Sequence, residues 1–187
     1  MAEAPSSDRT LSLRKVLQHD TRDLHDRLDA ALGATSLISD GDYAAFLAVQ
    51  YAARAGIEAW SRALPGDLRP PPVADLIVDD LADLGMAAPH AQPFVFPANA
   101  APLGAAWALG GSALGNRTLL VRRRRAGASH AETFLSDDRT ATYFRALLPR
   151  LQSVAAPGEA AAAVSGARAV FETFLGAMRR NPLQTAA

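Results

Sequence analysis

The stretch LGAAWALGGSALGNR, residues 103–117, decides the fold of this chain. Gly104, Ala108, Gly111 and Gly115 recur at helical spacing and form a stripe of minimal side chains along one predicted helix. Glycine inside a helix costs roughly 1 kcal/mol relative to alanine, so the stripe needs an offsetting gain. Close helix–helix packing, a loop at Gly110, or a flat ligand lying against bare backbone would each explain it.

The composition around this stretch favours a single helical domain. The chain has 187 residues, of which 49% are hydrophobic and only 6% aromatic, and alanine is abundant. Charged residues make up 20% and cancel to a net charge of zero, which argues against nucleic-acid binding. Cysteine is absent, which excludes disulfides and thiolate metal sites. No apolar run reaches membrane-spanning length and no signal peptide begins the sequence, so we expect a cytoplasmic protein without a membrane partner.

Hydrophobic periodicity predicts an all-α fold, as one compact multi-helix domain at residues 11–180. Residues 1–10 are expected to be a flexible N-terminal tail and residues 181–187 a C-terminal tail. The predicted helices cover residues 11–32, 42–60, 73–84, 103–125, 130–135, 140–154 and 159–180. Residues 64–72 and 87–102 are proline-rich connections, with Phe94 and Phe96 as expected anchors of the second. Pro149 is expected to kink or end its helix.

One of the four histidines stands out. His25 shares a helical row with Leu17, Thr21, Leu28 and Leu32, which predicts an inward imidazole. His19 points the other way, and His90 and His130 lie in loop-like surroundings typical of surface residues. An inward imidazole either hydrogen-bonds to a nearby carbonyl, which is the commoner case, or ligates something. The chain has no HExxH pattern, so a zinc or di-iron site is poorly supported.

Two segments together resemble bacterial heme oxygenases, especially the compact type that accompanies bacterial phytochromes. The first is LQHDTRDLHDRLDA at residues 17–30, and the second is GAAWALGGSALG at residues 104–115. The resemblance extends over about residues 11–178 through shorter matches: Tyr43, Phe46 and Leu47 with Tyr51, Leu64-Pro65, Asp80-Leu81, Leu84-Gly85, Phe134-Leu135, Tyr143 and Leu147. The order and spacing of these motifs are more specific than any one of them.

The resemblance implies that heme b is both prosthetic group and substrate, and that it is opened at a meso carbon to give biliverdin, carbon monoxide and iron. It makes His25 the proximal ligand of the heme iron. Gly111, Ser112 and Gly115 would be the catalytic residues of the opposite wall, where Gly111 and Gly115 also contact heme. The remaining cofactor-binding residues would be Thr21, Arg22 and Arg145, with Arg150 as a further candidate for the propionates. The reaction also requires O2 and an external electron donor.

The sequence departs from the family pattern at several positions. Gly110 replaces a glutamate, Trp107 a tyrosine, Asn116 a glycine and Gln18 an arginine. The alternative is therefore a heme-binding carrier or sensor that keeps the pocket without turnover. A helical transcription regulator is a third possibility, but no helix-turn-helix with basic recognition residues is found.

The arginine run at 122–125 allows two interpretations. Four adjacent cations are most often a solvated helix face. Alternatively, Arg122, Arg123, Arg124 and Arg125 dock an acidic electron donor, a reductase or a ferredoxin, as the resemblance implies. A biliverdin-accepting bacteriophytochrome is a further expected partner under the same resemblance.

Overall fold

The computed structural model describes residues 11–33 and 37–181, and the regular secondary structure in these ranges is helical. The expected N-terminal tail lies outside the described residues, as does all of the expected C-terminal tail beyond Asn181. The described α-helices are α1 Leu13–Asp20, α2 Arg22–Gly33, α3 Asp40–Ser61, α4 Ala74–Asp83, α5 Pro102–Gly111, α6 Ala113–Arg125, α7 Thr133–Ser136, α8 Arg139–Gln152 and α9 Pro157–Arg180. Within these ranges the only β pairing is an isolated bridge between Ser12 and Val154. The all-α prediction is confirmed.

Helix α9 is the centre of the packing, because α1, α2, α3 and α5 all contact it. Its sequence allows this, since small residues let neighbouring backbones approach closely. A Cβ on Gly104 of α5 would lie 1.7 Å from the carbonyl oxygen of Ala163 in α9, and one on Gly166 of α9 would lie 2.5 Å from that of Ala101. A second apolar cluster joins the start of α3 to α4 and α7 around Tyr43.

The first predicted helix is two helices. Thr21 separates α1 from α2, with φ −115° and ψ 6°, and its hydroxyl donates to the carbonyl of Leu17 at 2.8 Å. Threonine hydroxyls commonly bond to a carbonyl one turn back and bend the helix there. The uninterrupted helix expected at 11–32 is therefore wrong at this one residue, four positions before His25.

The glycine-rich helix is also divided. Ser112 ends α5 and begins α6, although its own backbone stays helical at φ −62° and ψ −25°. The helix expected at 130–135 is limited to α7, because Ala131 has a positive φ of 54° that a helix does not accept. Pro149 lies within α8, which ends three residues later at Gln152.

Residues 86–101 form a connection without helix, as predicted. The amide of Gln92 donates to the carbonyl of Ala52 in α3 at 2.8 Å. Phe94 and Phe96 pack on Trp60, with ring centroids 5.1 and 4.3 Å from it, which confirms both as anchors. No helix in the described ranges is both long enough and apolar enough to span a membrane.

Candidate functional site

The glycines of the small-residue stripe divide into two groups. A Cβ on Gly104 would clash with the carbonyl of Ala163 in α9, and a Cβ on Gly110 would lie 2.8 Å from the Phe144 ring of α8. By contrast, a Cβ on Gly111 or Gly115 would have no atom of another element within 4 Å. Packing therefore explains the first pair and leaves the second pair unexplained. Gly111 and Gly115 present bare backbone to open space.

His25 is not enclosed by the core, contrary to the inward position that the helical row predicted. Its side chain is 58% exposed. The row assumed one continuous helix, whereas the helix is interrupted at Thr21, and within α2 only Leu24 is fully buried. The principal contacts of α2 are with α1 and α9, so the imidazole lies at an open edge of the bundle. His19 is 83% exposed, as expected.

The imidazole of His25 has a carboxylate partner that the sequence analysis missed. Its Nδ1 lies 3.1 Å from an Oδ of Asp29, one helical turn later. A proton on Nδ1 satisfies this contact and leaves Nε2 as a lone-pair donor. Carboxylate partners of this kind fix the orientation of ligating histidines and raise their basicity. The i, i+4 spacing of His25 and Asp29 was the available signal.

An aromatic residue of α9 connects the two parts of the candidate site. The ring of Phe171 lies edge-on to His25 at a centroid distance of 6.1 Å and edge-on to Trp107 at 6.2 Å. Trp107 is buried in α5 one turn before Gly111. His25 of α2 and Trp107 of the glycine-rich helix α5 therefore contact the same ring of α9.

Ser112 is held by hydrogen bonds from within the protein. Its hydroxyl donates to the carbonyl of Leu109 at 2.6 Å and accepts from Nη2 of Arg54 at 2.7 Å. Nε of Arg54 donates to Oε1 of Gln50 at 3.0 Å. The chain thus places a cation directly behind the serine at the α5–α6 break.

Arg54 is buried in apolar surroundings, with 4% of the residue exposed. Its guanidinium carbon lies 5.5 Å from the ring centroid of Phe134 and 5.7 Å from that of Phe174. Burial lowers the pKa of Arg54 to about 10, and the nearby Glu58 opposes this shift. Nothing in the sequence distinguishes Arg54, because one arginine in an amphipathic helix is usually solvated.

Other predicted site residues lie as follows. Thr21 is 1% exposed, and its hydroxyl donates a hydrogen bond to the carbonyl of Leu17. The side chain therefore supports the helix break and offers no surface to a cofactor. Arg22 is exposed, with Nε 3.9 Å from Asp26. Arg145 is exposed on α8 and donates to the hydroxyl of Thr142, and Arg150 pairs with Asp67.

The arginine run is not a uniform solvated face. Arg123 is fully buried, so its predicted part in docking a partner is wrong. The residue faces inward because its guanidinium donates to Asp40 at 3.1 Å and to the carbonyls of Leu37 and Ile38. Arg124 is exposed and pairs with Glu132 at 2.7 Å. Arg122 and Arg125 are also exposed.

Acidic and imidazole side chains do not assemble a metal centre in the part of the chain that the structure describes. No group of three or more such side chains could hold an ion there. An ion that is already coordinated by a macrocycle needs only one axial ligand from the protein. His25 can supply one such ligand.

Comparison with known proteins identifies the fold. No protein-family model matches the sequence, and no curated protein matches it. A solved structure of the NO- and CO-bound heme oxygenase from Neisseria meningitidis is similar to this chain, with a TM-score of 0.71 and 23% sequence identity. The similarity covers 95% of this chain and 96% of that one. The chain therefore has the fold of a heme oxygenase.

Proposed function

We propose that this protein is a heme-degrading monooxygenase that opens heme at a meso carbon and releases biliverdin, carbon monoxide and iron. One observation carries the proposal: the imidazole of His25, oriented by Asp29, and the open backbone of Gly111 and Gly115 belong to helices joined through Phe171. The heme-oxygenase fold supports it.

The residues present fit heme. A flat macrocycle needs a wall without side chains, and Gly111 and Gly115 have open space where a Cβ would stand. His25 Nε2 would bind the heme iron, while Arg22 and Arg145 are our candidates for the propionates. When bound, heme b supplies the iron that activates O2 and the ring that is oxidised, with electrons from an external donor.

The protein's own residues would orient and confine this chemistry. Asp29, whose carboxylate lies 3.1 Å from Nδ1 of His25, would favour the tautomer that leaves Nε2 free to bind iron. The hydroxyl of Ser112 has its proton committed to Leu109 and one lone pair committed to Arg54, so its second lone pair can accept from a water. Ser112 would thus hold a water as an acceptor rather than deliver its own proton.

The exposed arginines of α6 indicate which kind of protein partner to expect. Arg122, Arg124 and Arg125 are proposed to dock an acidic reductase or ferredoxin, without the buried Arg123. Membership of the compact, phytochrome-associated type, a biliverdin-accepting bacteriophytochrome partner and a cytoplasmic location also belong to this proposal.

A heme carrier or sensor is the second candidate. The committed proton of Ser112 favours it, because that hydroxyl cannot donate while it remains bonded to Leu109. Asn116 adds a side chain on α6 directly after Gly115, where the resembled family has glycine. A carrier binds heme at the same residues but does not convert it.

Hemin titration followed by reduction under air decides between these candidates. We expect saturable binding with a Soret band, then loss of that band and release of a bilin even when catalase removes free peroxide. A complex that cycles between ferric and oxygenated forms without bilin would establish the carrier, and absent binding would overturn both.

Matched variants locate the site. His25→Ala should greatly weaken or alter hemin binding, whereas His19→Ala on the exposed side should not. Gly115→Leu should suppress conversion by filling the open wall. Gly158→Leu is the control, because Gly158 also has open space around its Cβ position but lies at the start of α9. Equal behaviour of the two leucine variants would remove Gly115 from the site.

A further inference from the structure

Arg54 presents an energetic problem that packing does not explain. A buried cation is costly unless it is paired and hydrogen-bonded. Both recorded hydrogen bonds of the Arg54 guanidinium go to neutral groups, Gln50 and Ser112. Among the ion pairs in the described part of the chain, none includes Arg54.

The nearest acidic residue along the helix is engaged elsewhere. Glu58 follows Arg54 by one turn of α3, but its carboxylate oxygens accept from the amides of Val73 and Ala74 at 3.0 and 3.2 Å. The carboxylate thus serves the start of α4, and it acts on Arg54 only through space. An arginine kept solely for stability would gain more from a direct carboxylate partner.

Arg54 forms one hydrogen bond to the glycine-rich helices, and that bond ends at Ser112. Its Nη2 contacts Ser112, the residue at the α5–α6 break, and Ser112 is exposed. Gly111 precedes that serine and Gly115 follows one turn later, and both have open Cβ positions. The guanidinium of Arg54 therefore contacts Ser112, whose hydroxyl is the one side-chain hydroxyl between Gly111 and Gly115.

We propose that Arg54 is a positioning residue that acts through Ser112: it fixes the serine oxygen beside the open glycine wall and supplies positive charge behind it. Gln50 accepts a hydrogen bond from Nε, which favours the side-chain conformation in which Nη2 reaches Ser112. The Ser112 hydroxyl donates its proton to the carbonyl of Leu109 and accepts a hydrogen bond from Arg54. Its oxygen keeps one lone pair, which can orient a water. The Arg54 guanidinium is buried beside Phe134 and Phe174, so solvent screens its charge less than that of an exposed arginine. This inference rests on the proposed function of the site.

A double-mutant cycle with Arg54→Met and Ser112→Ala tests the proposal. The first measurement is the C–O stretching frequency of the reduced hemin complex under carbon monoxide, which responds to charge near the ligand. Loss of a positive charge weakens back-donation into the C–O bond, so Arg54→Met should raise the frequency. In the Ser112→Ala background the same substitution should change it less, because a residue that acts through another gives non-additive effects.

The second measurement is conversion of bound hemin. Arg54→Met should slow it by about 10- to 100-fold, as expected for loss of a residue that orients a contacting group. Arg54→Lys keeps the charge but loses the planar fork, so it should restore the C–O frequency more than the rate. Gln50→Leu frees Nε without removing the charge and should slow conversion less than Arg54→Met. The melting temperature of the hemin-free variants reports any purely structural effect.

The outcomes separate this inference from the proposed function. An unchanged C–O frequency in Arg54→Met, or additive effects in the cycle, would overturn the role of Arg54 while leaving the monooxygenase proposal intact. Wild-type protein that binds hemin without forming bilin would overturn the proposed reaction, while the C–O measurement would still decide the role of Arg54. Wild-type protein that binds no hemin would overturn both. If Arg54→Met does not fold, the comparison of Arg54→Lys, Gln50→Leu and Ser112→Ala gives the decision.

Discussion

Arg123 and Arg54 are both buried, but the protein surrounds them differently. Arg123 donates to the carboxylate of Asp40 at 3.1 Å, and its guanidinium lies 3.8 Å from the ring centroid of Tyr43. It also bonds to the carbonyls of Leu37 and Ile38, so it ties α6 to the segment that leads into α3. Arg54 has a glutamine and a serine instead.

This difference separates a structural cation from a positioning cation. Arg123 joins elements that lie 83 residues or more apart, and its partners include an opposite charge. Arg54 has no such compensation, and its long-range hydrogen bond ends at the candidate site. Burial alone therefore does not reveal what an arginine does, whereas the identity and location of its partners do.

The largest effect is expected for Arg123→Ala. This change leaves a cavity and two carbonyls without their donor, so the free energy of unfolding should fall by about 3 kcal/mol. Denaturant or thermal unfolding measures the loss. Arg122→Ala is the matched control, because that exposed neighbour should change stability by no more than about 0.5 kcal/mol. Equal losses in the two variants would mean that Arg123 is not structural.

A smaller effect, with a distinct pH dependence, is expected for Arg54→Met. Burial raises the pKa of Glu58 above its usual 4.5, and the charge of Arg54 partly lowers it again. A raised carboxyl pKa favours the protonated folded state, so the Glu58 contribution to stability falls as pH rises from 4.5 through the folded pKa. Removing Arg54 should raise that pKa further and make the fall larger.

Unfolding free energies measured from pH 4 to pH 8 check this prediction. Relative to wild type, Arg54→Met should lose stability as pH rises, with little difference near the acid end. Adding Glu58→Gln should abolish the pH-dependent part of that difference. If the difference between Arg54→Met and wild type stays constant across the range, the two side chains are not coupled.

The smallest loss of stability is expected for Arg168→Gln, which removes an ion pair on the protein surface. Arg168 donates to both carboxylate oxygens of Asp23 and to the carbonyl of Asp20. The hydrogen bond from Arg168 lowers the pKa of Asp23 below 3.8, so this pair stabilises the fold above that pH and the contribution is lost as pH falls through the folded pKa. The variant should show a small loss at pH 7 that shrinks in acid, with the Asp23 pKa followed by NMR. A loss as large as that of Arg123→Ala would contradict the ranking.

Hydrophobic periodicity was sufficient to predict the long helices and the connection at 87–102, because those features depend on local sequence. The breaks at Thr21 and Ser112 were not predictable in the same way. Both residues are acceptable inside helices, and each break involves one hydroxyl bonded to a backbone carbonyl.

The roles of the glycines and arginines depend on tertiary contacts that spacing does not encode. Gly110 and Gly111 are adjacent, yet only Gly110 faces Phe144 of α8. Arg123 lies among three other arginines, and only the position of Asp40 distinguishes it. The i, i+4 spacing of His25 and Asp29 was visible in the sequence, whereas the contact of Arg54 with Ser112 emerged only from the folded arrangement.

The contact between Gly104 and Ala163 has an evolutionary consequence. Because no methyl group fits between them, α5 is fixed against α9, whereas the principal contacts of α6 are with α5, α7 and α8. Selection on residues 104–110 must preserve helix packing before anything else. In α6 the buried positions include Ala113, Leu120 and Arg123, whereas Gly115 and Arg117 are exposed. Substitutions at these two exposed positions can therefore change that surface without disturbing the contact between α5 and α9.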